Sequence, residues 1–337
     1  MLVAAAAGIA SGQKILIEPR FFLGQTLYYR VVLRSALKSI ISAPIVNPEG
    51  GSEFKQSVSM IVRLDVLSLP AVESQSPARP TPGSPANAGA AGMRLRATFE
   101  KVEAANESDA VDPGAPSSAE SYKALAGHSI EFTVGPDGRP TDFAGLEEIH
   151  LNSQSASGLF TWLDGLVSIS TLPKHSISVG EKWSDERTLS GMPLTGLIWR
   201  TDSSYLRDEP CDASSAASSP PAGSHSSQPA ASSVNPGPCA VILTRFEITR
   251  KGSPHDDATP EDYIQNGLRT MGKWTGSGES IDSISIASGM LVSSTQSSTQ
   301  DTDYTITSAT SGSKIHQQGH MTTETEITLW PSAAPQS

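Results

Sequence analysis

The residues best suited to chemistry lie near the C-terminus, in the stretch IHQQGHMTTETEI, which holds His316, His320, Glu324 and Glu326. On a helix the two histidines would be neighbours able to share a metal ion, but the alternation of this stretch predicts a strand. At about 3.3 Å per residue, the two histidines are then about 13 Å apart. That is too far for one zinc ion with bonds of about 2.1 Å. We therefore predict two exposed histidines and no metal site.

The two glutamates offer a second kind of chemistry, because Glu324 and Glu326 share one face of the predicted strand, about 7 Å apart. Glycoside hydrolases use a pair of carboxylates at a similar separation, and strand parity places Trp330 on the same face. Two solvated acids on an open sheet are the commoner arrangement. The chain also lacks GxSxG, HExxH and the phosphate-loop motif.

The charge balance argues against two classes of partner. The chain has 24 Lys and Arg against 35 Asp and Glu, a formal net charge of -11, and no basic stripe. Nucleic acids and anionic membrane surfaces both require clustered cations, so neither is expected to bind. The acidic stretch HDDATPEDY, residues 255–263, lacks the ligand spacing and the glycine turn of a calcium loop. It is expected to be a solvated loop.

Cys211 and Cys239 are the two cysteines of the chain, and they flank a Ser-, Pro- and Ala-rich tract, residues 212–238, that has no hydrophobic periodicity. Such a tract predicts a disordered loop between two strands. A disulfide at its base would stabilise the fold by about 3 kcal/mol in the loop-entropy model and would indicate an oxidising compartment. The alternative is a pair of unrelated free thiols in a reducing compartment.

The N-terminal residues 1–13, MLVAAAAGIASGQ, resemble the apolar and cleavage regions of a signal peptide, with Gly8 and Ala10 at the −3 and −1 positions. A positive n-region is missing, so a short buried strand or helix is the alternative. No later apolar run reaches the ~20 residues of a transmembrane helix. We predict a secreted or periplasmic protein, and a disordered tail over residues 331–337.

Strict alternation of apolar and polar residues predicts long β-strands with one packed face and one solvated face. In the segment from Phe54 to Leu69, Val62 and Leu64 share a face, and Leu95 lies on the packed face of the strand MRLRATFEKV. A polar loop is predicted from Glu103 to Ser118. The later segments Met290–Thr299 and Asp303–Ser308 read as separate strands.

One amphipathic helix is predicted over Ser155–Ser168. Its apolar residues fall at i, i+1, i+4, i+7 and i+8, namely Leu159, Phe160, Leu163, Leu166 and Val167. A helix with one wide apolar face needs a sheet to pack against.

The second half of the chain repeats patterns of the first. VGEKW (179–183) matches LGQTLYY (23–29), and GESIDSISIASG (278–289) matches GHSIEFTVGPDG (127–138) in the placing of glycine, serine, isoleucine and acid. These matches predict a diverged duplication of two β halves, residues 14–150 and 175–330, linked by a helical connection over 151–174. The alternative is that antiparallel hairpins look alike by chance.

The segments GQTLYYRV, GPDGRPTDFAGLEEI and SVGEKWSDE together resemble a family of uncharacterised secreted β-rich proteins of soil bacteria, over most of the chain outside the loops. The resemblance implies a secreted β-rich domain and transfers no catalytic residue. A curved sheet backed by a helix is also similar in architecture to the half-barrel lipoprotein and lipid carriers of the bacterial envelope.

Together these patterns predict a mainly β protein, built as a large curved antiparallel sheet or half-barrel from two similar halves with one packed α-helix. The first functional hypothesis is a non-enzymatic exported protein, without a cofactor, whose concave face binds a hydrophobic ligand or a partner chain. The partner would be a lipid, a lipoprotein or another envelope protein. The ligand-binding candidates are Val62, Leu64, Leu95, Leu159, Phe160 and Leu163. A structural or adhesive surface module without a cavity is the alternative, and a glycoside hydrolase-type enzyme is the third hypothesis.

Overall fold

The computed structural model describes residues 14–42, 51–70, 92–108, 118–135, 138–146, 149, 163, 166, 172–189, 192–211 and 237–330. Two short helices are complete within these ranges, α1 (Ser118–Lys123) and α2 (Glu261–Gln265). The strands are β1 Thr26–Ser42, β2 Gly51–Ser68, β3 Met93–Ser108, β4 Ser129–Val134, β5 Pro140–Ala144, β6 Lys182–Thr188, β7 Leu197–Pro210, β8 Pro238–Arg250, β9 Leu268–Ser285, β10 Leu291–Ser308 and β11 Lys314–Trp330.

The eleven strands form one curved, unclosed antiparallel sheet in the order β5-β4-β3-β2-β1-β11-β10-β9-β8-β7-β6. This confirms the predicted fold class. Strands β1 to β5 and strands β6 to β11 are two consecutive runs, and the pairing of β1 with β11 joins them in the middle of the sheet. The edge strands β5 and β6 are therefore neighbours in the chain although they lie at opposite edges.

The buried side chains alternate along the strands, which defines two faces of the sheet. On β2, Val58, Met60, Val62, Leu64 and Val66 are all buried, and the residues between them are not. We call the face that carries these residues the core face and the opposite one the open face. The predicted alternation of this strand is confirmed.

The prediction of a polar loop starting at Glu103 was wrong, because β3 continues to Ser108. A β-bulge leaves Glu100 unpaired between Phe99 and Lys101. One extra residue reverses the alternation, so that Phe99 before the bulge and Ala104 after it are both buried. The break predicted between two strands near residue 300 is also absent, since β10 runs unbroken from Leu291 to Ser308.

One large hydrophobic cluster, which we call cluster 1, occupies one end of the core face and draws on both runs of strands. Within the ranges that the structure describes, short segments rather than a second sheet pack over it. We call this layer the cover; its buried residues are Ile17, Ala119, Tyr122, Leu125, Ile149, Leu163, Leu166 and Ile177. Of the predicted helix Ser155–Ser168, only Leu163 and Leu166 are described; both have helical conformation and are buried. The other predicted helix positions lie outside the described residues.

A smaller cluster, cluster 2, lies towards the other end of the second run of strands. Its buried residues are Leu194, Leu197, Ile248, Ala258 and Tyr304. The segment before β7 and the loop after β8 supply Leu194 and Ala258, which pack onto the strand residues. The middle of the core face thus lies between the two clusters and belongs to neither.

The same turn occurs at the start of both runs of strands. Gly24 and Gly180 both adopt positive φ, 76° and 87°. The next residue, Gln25 or Glu181, accepts a side-chain hydrogen bond from the backbone N–H three residues earlier. The two turns also make corresponding backbone hydrogen bonds to Val66 of β2 and Tyr205 of β7.

A matching β-bulge follows each of these two contacts. Leu67 is skipped in the pairing of β2 with β3, and Leu206 is skipped in the pairing of β7 with β8. Shared turns and bulges at corresponding places are the local geometry that a duplication of residues 14–150 and 175–330 would leave. The duplication itself stays a prediction.

The contact between the cover and the β9–β10 turn can be tested with a matched pair of glycine substitutions. Gly289 and Gly312 have nearly the same positive φ, 66° and 68°. An added Cβ would lie 2.1 Å from the Glu18 oxygen at Gly289 and would meet nothing within 4 Å at Gly312. We expect Gly312→Ala to cost about 1 kcal/mol from backbone strain alone, and Gly289→Ala about 1–3 kcal/mol more.

The measurement is the free energy of unfolding in urea. Equal losses for the two variants would show that residues near Glu18 do not lie on this turn in solution.

Candidate functional site

The predicted ligand-binding residues that the structure describes all belong to cluster 1. Val62 and Leu95 of the first run and Leu163 of the cover are 0% exposed, and Leu64 is 1% exposed. Leu159 and Phe160 lie outside the described residues. The structure therefore brings Val62, Leu64, Leu95 and Leu163 together, in contact with other parts of the chain.

Beyond cluster 1, the core face carries a band of partly exposed polar side chains on the central strands. We call it the polar strip, and it consists of Ser280, Asp282, Ser294, Gln296, Ser298, Thr323 and Thr325. The change is abrupt, because Ser294 pairs directly with Ile327 of cluster 1. An apolar region bordered by polar groups is the pattern that ligand sites favour.

Asp282 is the charged residue of this strip. It pairs with Ile242 on β8 and with Ser294 on β10, and Ile284, two residues along the same strand, is buried in cluster 1. Its two carboxylate oxygens accept hydrogen bonds from Ser294 Oγ at 2.6 Å and Ser280 Oγ at 3.0 Å. Burial raises the pKa of this carboxyl, and the two serine hydroxyls act in the opposite direction.

Sequence reasoning missed Asp282 because it follows an apolar residue that points the other way. Ile281 is 46% exposed on the open face, while Asp282 lies on the core face beside Ile284. A rule that always buries the apolar side chain would place Ile281 on the core face and Asp282 on the open face. The available signal was the shared parity of Asp282 and Ile284, which is visible in SIDSIS.

Aromatic side chains cover the core face between the polar strip and the sheet edge. Trp199 stacks on Phe246 with ring centroids 4.2 Å apart, and Arg187 lies over the Trp199 ring at 5.3 Å. Phe246 approaches Gly278 so closely that a Cβ there would lie 2.5 Å from the ring. This glycine therefore lets the aromatic pair lie flat on the sheet.

The two predicted histidines lie on the open face and do not meet. His320 Nδ1 is 2.8 Å from Asp301, and His316 Nε2 is 2.7 Å from Asp303. The hydrogen bond from His316 is the main reason that the pKa of Asp303 is lowered. Among the described residues, no group of three or more His, Cys, Asp or Glu side chains could hold a metal ion.

The two glutamates of the hydrolase hypothesis also lie on the open face. Glu326 forms an ion pair with Arg34 at 3.1 Å, and both side chains are largely exposed. Glu324 lines a shallow groove of about 390 Å³ together with Arg34 and Lys55. Trp330 shares their strand parity, but four residues along a strand separate it from Glu326, a distance of about 13 Å.

A larger groove of about 660 Å³ lies on the same face, and its lining includes Asp301 and Asp303, the partners of His320 and His316. Its lining is polar and of mixed charge, with Lys38, Lys273, Glu53, Asp301 and His320 among the lining residues. Both grooves thus lie on the face opposite to the one predicted to bind a ligand.

Cys211 and Cys239 form the predicted disulfide, which is therefore confirmed. The bond closes the mouth of the tract 212–238 and packs with Val292 in a small buried cluster. Residues 212–236 of that tract lie outside the described residues. No helix in the described ranges is both long enough and apolar enough to cross a bilayer.

No protein-family model and no curated protein matches the chain. Several solved structures show a distant likeness, among them lipovitellin and OpdQ. A structure of lipid–protein interactions in lipovitellin matches 94% of this chain at 9% identity with a TM-score of 0.43, and this chain spans about a quarter, 27%, of the lipovitellin chain. The Pseudomonas aeruginosa protein OpdQ matches 90% of this chain and 100% of its own length at 6% identity, with a TM-score of 0.22. At these TM-scores neither likeness carries an argument about function.

The raised pKa of Asp282 predicts a pH-dependent effect on stability. Because folding raises this pKa, the folded protein holds the proton more tightly than the unfolded chain does. The contribution of Asp282 to the free energy of unfolding is then largest below the unfolded Asp pKa of about 3.9. It falls as pH rises from there through the raised folded pKa.

Asp282→Asn removes this effect, so we expect the variant to gain stability relative to the wild type as pH rises from about 4 to neutrality. Urea unfolding at several pH values measures the difference. Glu279→Gln, the same acid-to-amide change on the open face of β9, is the control. A difference between Asp282→Asn and wild type that stays constant with pH would contradict the assignment.

Proposed function

We propose that the protein is a non-enzymatic, exported carrier that holds a hydrophobic ligand on the core face of its sheet, beneath the cover. The observation that carries the proposal is the construction of cluster 1. The apolar face of a single unclosed sheet is covered by separate short segments rather than by a second sheet. A ligand can then reach that face without any strand being separated from its neighbour.

The hydrogen bonding of the cover supports this route. Among the described residues, the backbone of residues 14–20 is held to the rest of the chain by two hydrogen bonds between Ile15 and Ile177 and by one from Arg20 N–H to the Ser288 carbonyl. The strands beneath are held by long ladders; the register of β1 with β11 alone extends from Tyr28–Trp330 to Ser42–His316. Local opening favours the parts of a fold with the fewest such bonds.

The free-energy cost of moving the cover off the sheet also favours an apolar ligand. Exposing a buried Ile or Leu side chain of the cover costs about 1.5–3 kcal/mol. A ligand that covers the same surface of the sheet restores much of this loss, whereas water does not. Val62, Leu64 and Leu95, which now contact the chain itself, would then contact the ligand.

Export is part of the proposal because of the disulfide. Disulfides form and persist in the bacterial periplasm and outside cells, and are rare in a reducing cytosol. The buried Cys211–Cys239 bond is therefore compatible with a secreted or periplasmic protein.

A disulfide lock tests the cover as the entry route. Ile15 and Ile177 exchange both backbone hydrogen bonds, at 2.8 and 2.7 Å. Such pairs have Cα atoms about 5.5 Å apart, which suits a disulfide. We expect oxidised Ile15→Cys/Ile177→Cys to take up the neutral fluorescent probe N-phenyl-1-naphthylamine at least about tenfold more slowly than Ile15→Ser/Ile177→Ser, because the lock blocks local opening.

The serine pair is the matched control, since it loses the same two apolar side chains without gaining a cross-link. Equal uptake rates in the two variants would remove the cover as the route. Absence of probe binding in the wild type and in the serine pair, together with no lipid detected by mass spectrometry of the protein purified from its native source, would overturn the carrier itself.

A surface module without a ligand cavity is the second candidate, and the position of the grooves favours it. Both grooves lie on the open face, and the residues of cluster 1 are already closely packed. The same two measurements separate the candidates, because a surface module would bind neither the probe nor a lipid.

A further inference from the structure

The polar strip raises a question that the apolar residues of cluster 1 do not answer, namely what compensates the charge of Asp282. This carboxylate lies beside Ile242 and Ile284, which are both 2% exposed. Placing a charge next to such a surface is costly unless the charge is paired. Among the described residues, no Lys, Arg or His forms an ion pair with Asp282.

The neighbours of Asp282 are neutral as well. Ser280 and Ser294 each donate one hydrogen bond to it, and the strip continues along β10 with Gln296 and Ser298. A carboxylate can accept about four hydrogen bonds, so two serine hydroxyls leave about half of its acceptor capacity unused. Among the described residues, an ionised Asp282 therefore has a negative charge without a cation and free acceptor positions, and the residues of the strip are only partly buried.

The Asp282 carboxylate lies at the border of cluster 1. Ser294 connects the two, since it hydrogen-bonds to Asp282 and pairs across strands with Ile327. A molecule with its apolar part against cluster 1 would therefore bring its polar end to the strip. The chemistry complementary to that strip is a hydrogen-bond donor with a positive charge.

We infer that the polar strip is the head-group site of the carrier and that the ligand is an amphiphile with a primary ammonium head, which pairs with Asp282 while its apolar chain lies against cluster 1. This inference rests on the proposed carrier function. An ammonium group supplies three donors and the compensating charge at once. Anionic heads such as carboxylate or phosphate would place two negative charges together beside an apolar surface, where like charges repel most strongly.

Three single-chain amphiphiles that share a twelve-carbon chain and differ in head charge test the inference. They are dodecylammonium, neutral dodecanol and anionic dodecanoate, each used below its aggregation concentration with the full-length protein near neutral pH. Calorimetry or displacement of the neutral fluorescent probe gives the affinities. We expect the wild type to bind dodecylammonium at least about tenfold more tightly than dodecanoate, because hydrogen bonds to charged groups are the stronger ones.

Three variants locate the effect. Asp282→Asn should lower the affinity for dodecylammonium at least about tenfold and leave the affinity for dodecanol unchanged, because only the charge is removed. Asp282→Glu should retain the preference for the ammonium head. Glu279→Gln, on the opposite face of the same strand, should match the wild type for all three amphiphiles, and circular dichroism checks that each variant is folded.

The possible outcomes distinguish a failure of the head-group site from a failure of the carrier function. If all three amphiphiles bind, but without preference for the ammonium head or without loss in Asp282→Asn, the head-group site is wrong and the carrier stands. If none of them binds the wild type or the Ile15→Ser/Ile177→Ser variant, the carrier is wrong and the head-group site is overturned with it.

Discussion

The pairing of β1 with β11 is the interaction on which the rest of the structure depends. It joins the first and last described strands across almost the whole chain, from Tyr28–Trp330 to Ser42–His316. Without it, the two runs of strands would be separate sheets, and cluster 1 would lose its continuity from Val31 on β1 to Ile327 on β11. A slip of one residue in this register would exchange the faces of one run relative to the other.

A single sheet with one apolar face creates a second constraint, because that face must be kept from water. In this protein, short segments from several parts of the chain do so, and they contribute Ile17, Tyr122, Leu163 and Ile177. Their burial stabilises the fold through the hydrophobic effect, while few backbone bonds hold the N-terminal segment in place. The carrier proposal depends on this layer opening at a lower cost than the pairing of the strands beneath it.

The two faces of the sheet differ in the partners of their charged side chains. On the open face, charged side chains have partners in water, as in Arg34–Glu326 and His320–Asp301. Exposed pairs of this kind contribute little to stability. On the core face, Asp282 has two serine hydroxyls and, among the residues that the structure describes, no cation as partners, next to buried isoleucines. A charge in that position is a more informative sign of function than the more numerous charges opposite, because its burial has a cost that folding alone does not require.

The sequence alone determined the local features: the β class, the alternation that buries Val62, Leu64 and Leu95, and the cysteine pair around a tract without periodicity. Each depends on neighbours a few residues apart, since strand sidedness repeats every second residue. Alternation failed where local geometry altered it, at the bulge at Glu100, and at Asp282, where Ile281 made the other face look apolar. Only the tertiary structure decided that β11 pairs with β1, that the cover lies over cluster 1, and that Asp282 lies beside Ile242. Those contacts join residues from tens to hundreds of positions apart, and which strands pair is decided by the burial of the whole apolar face rather than by any short stretch of sequence.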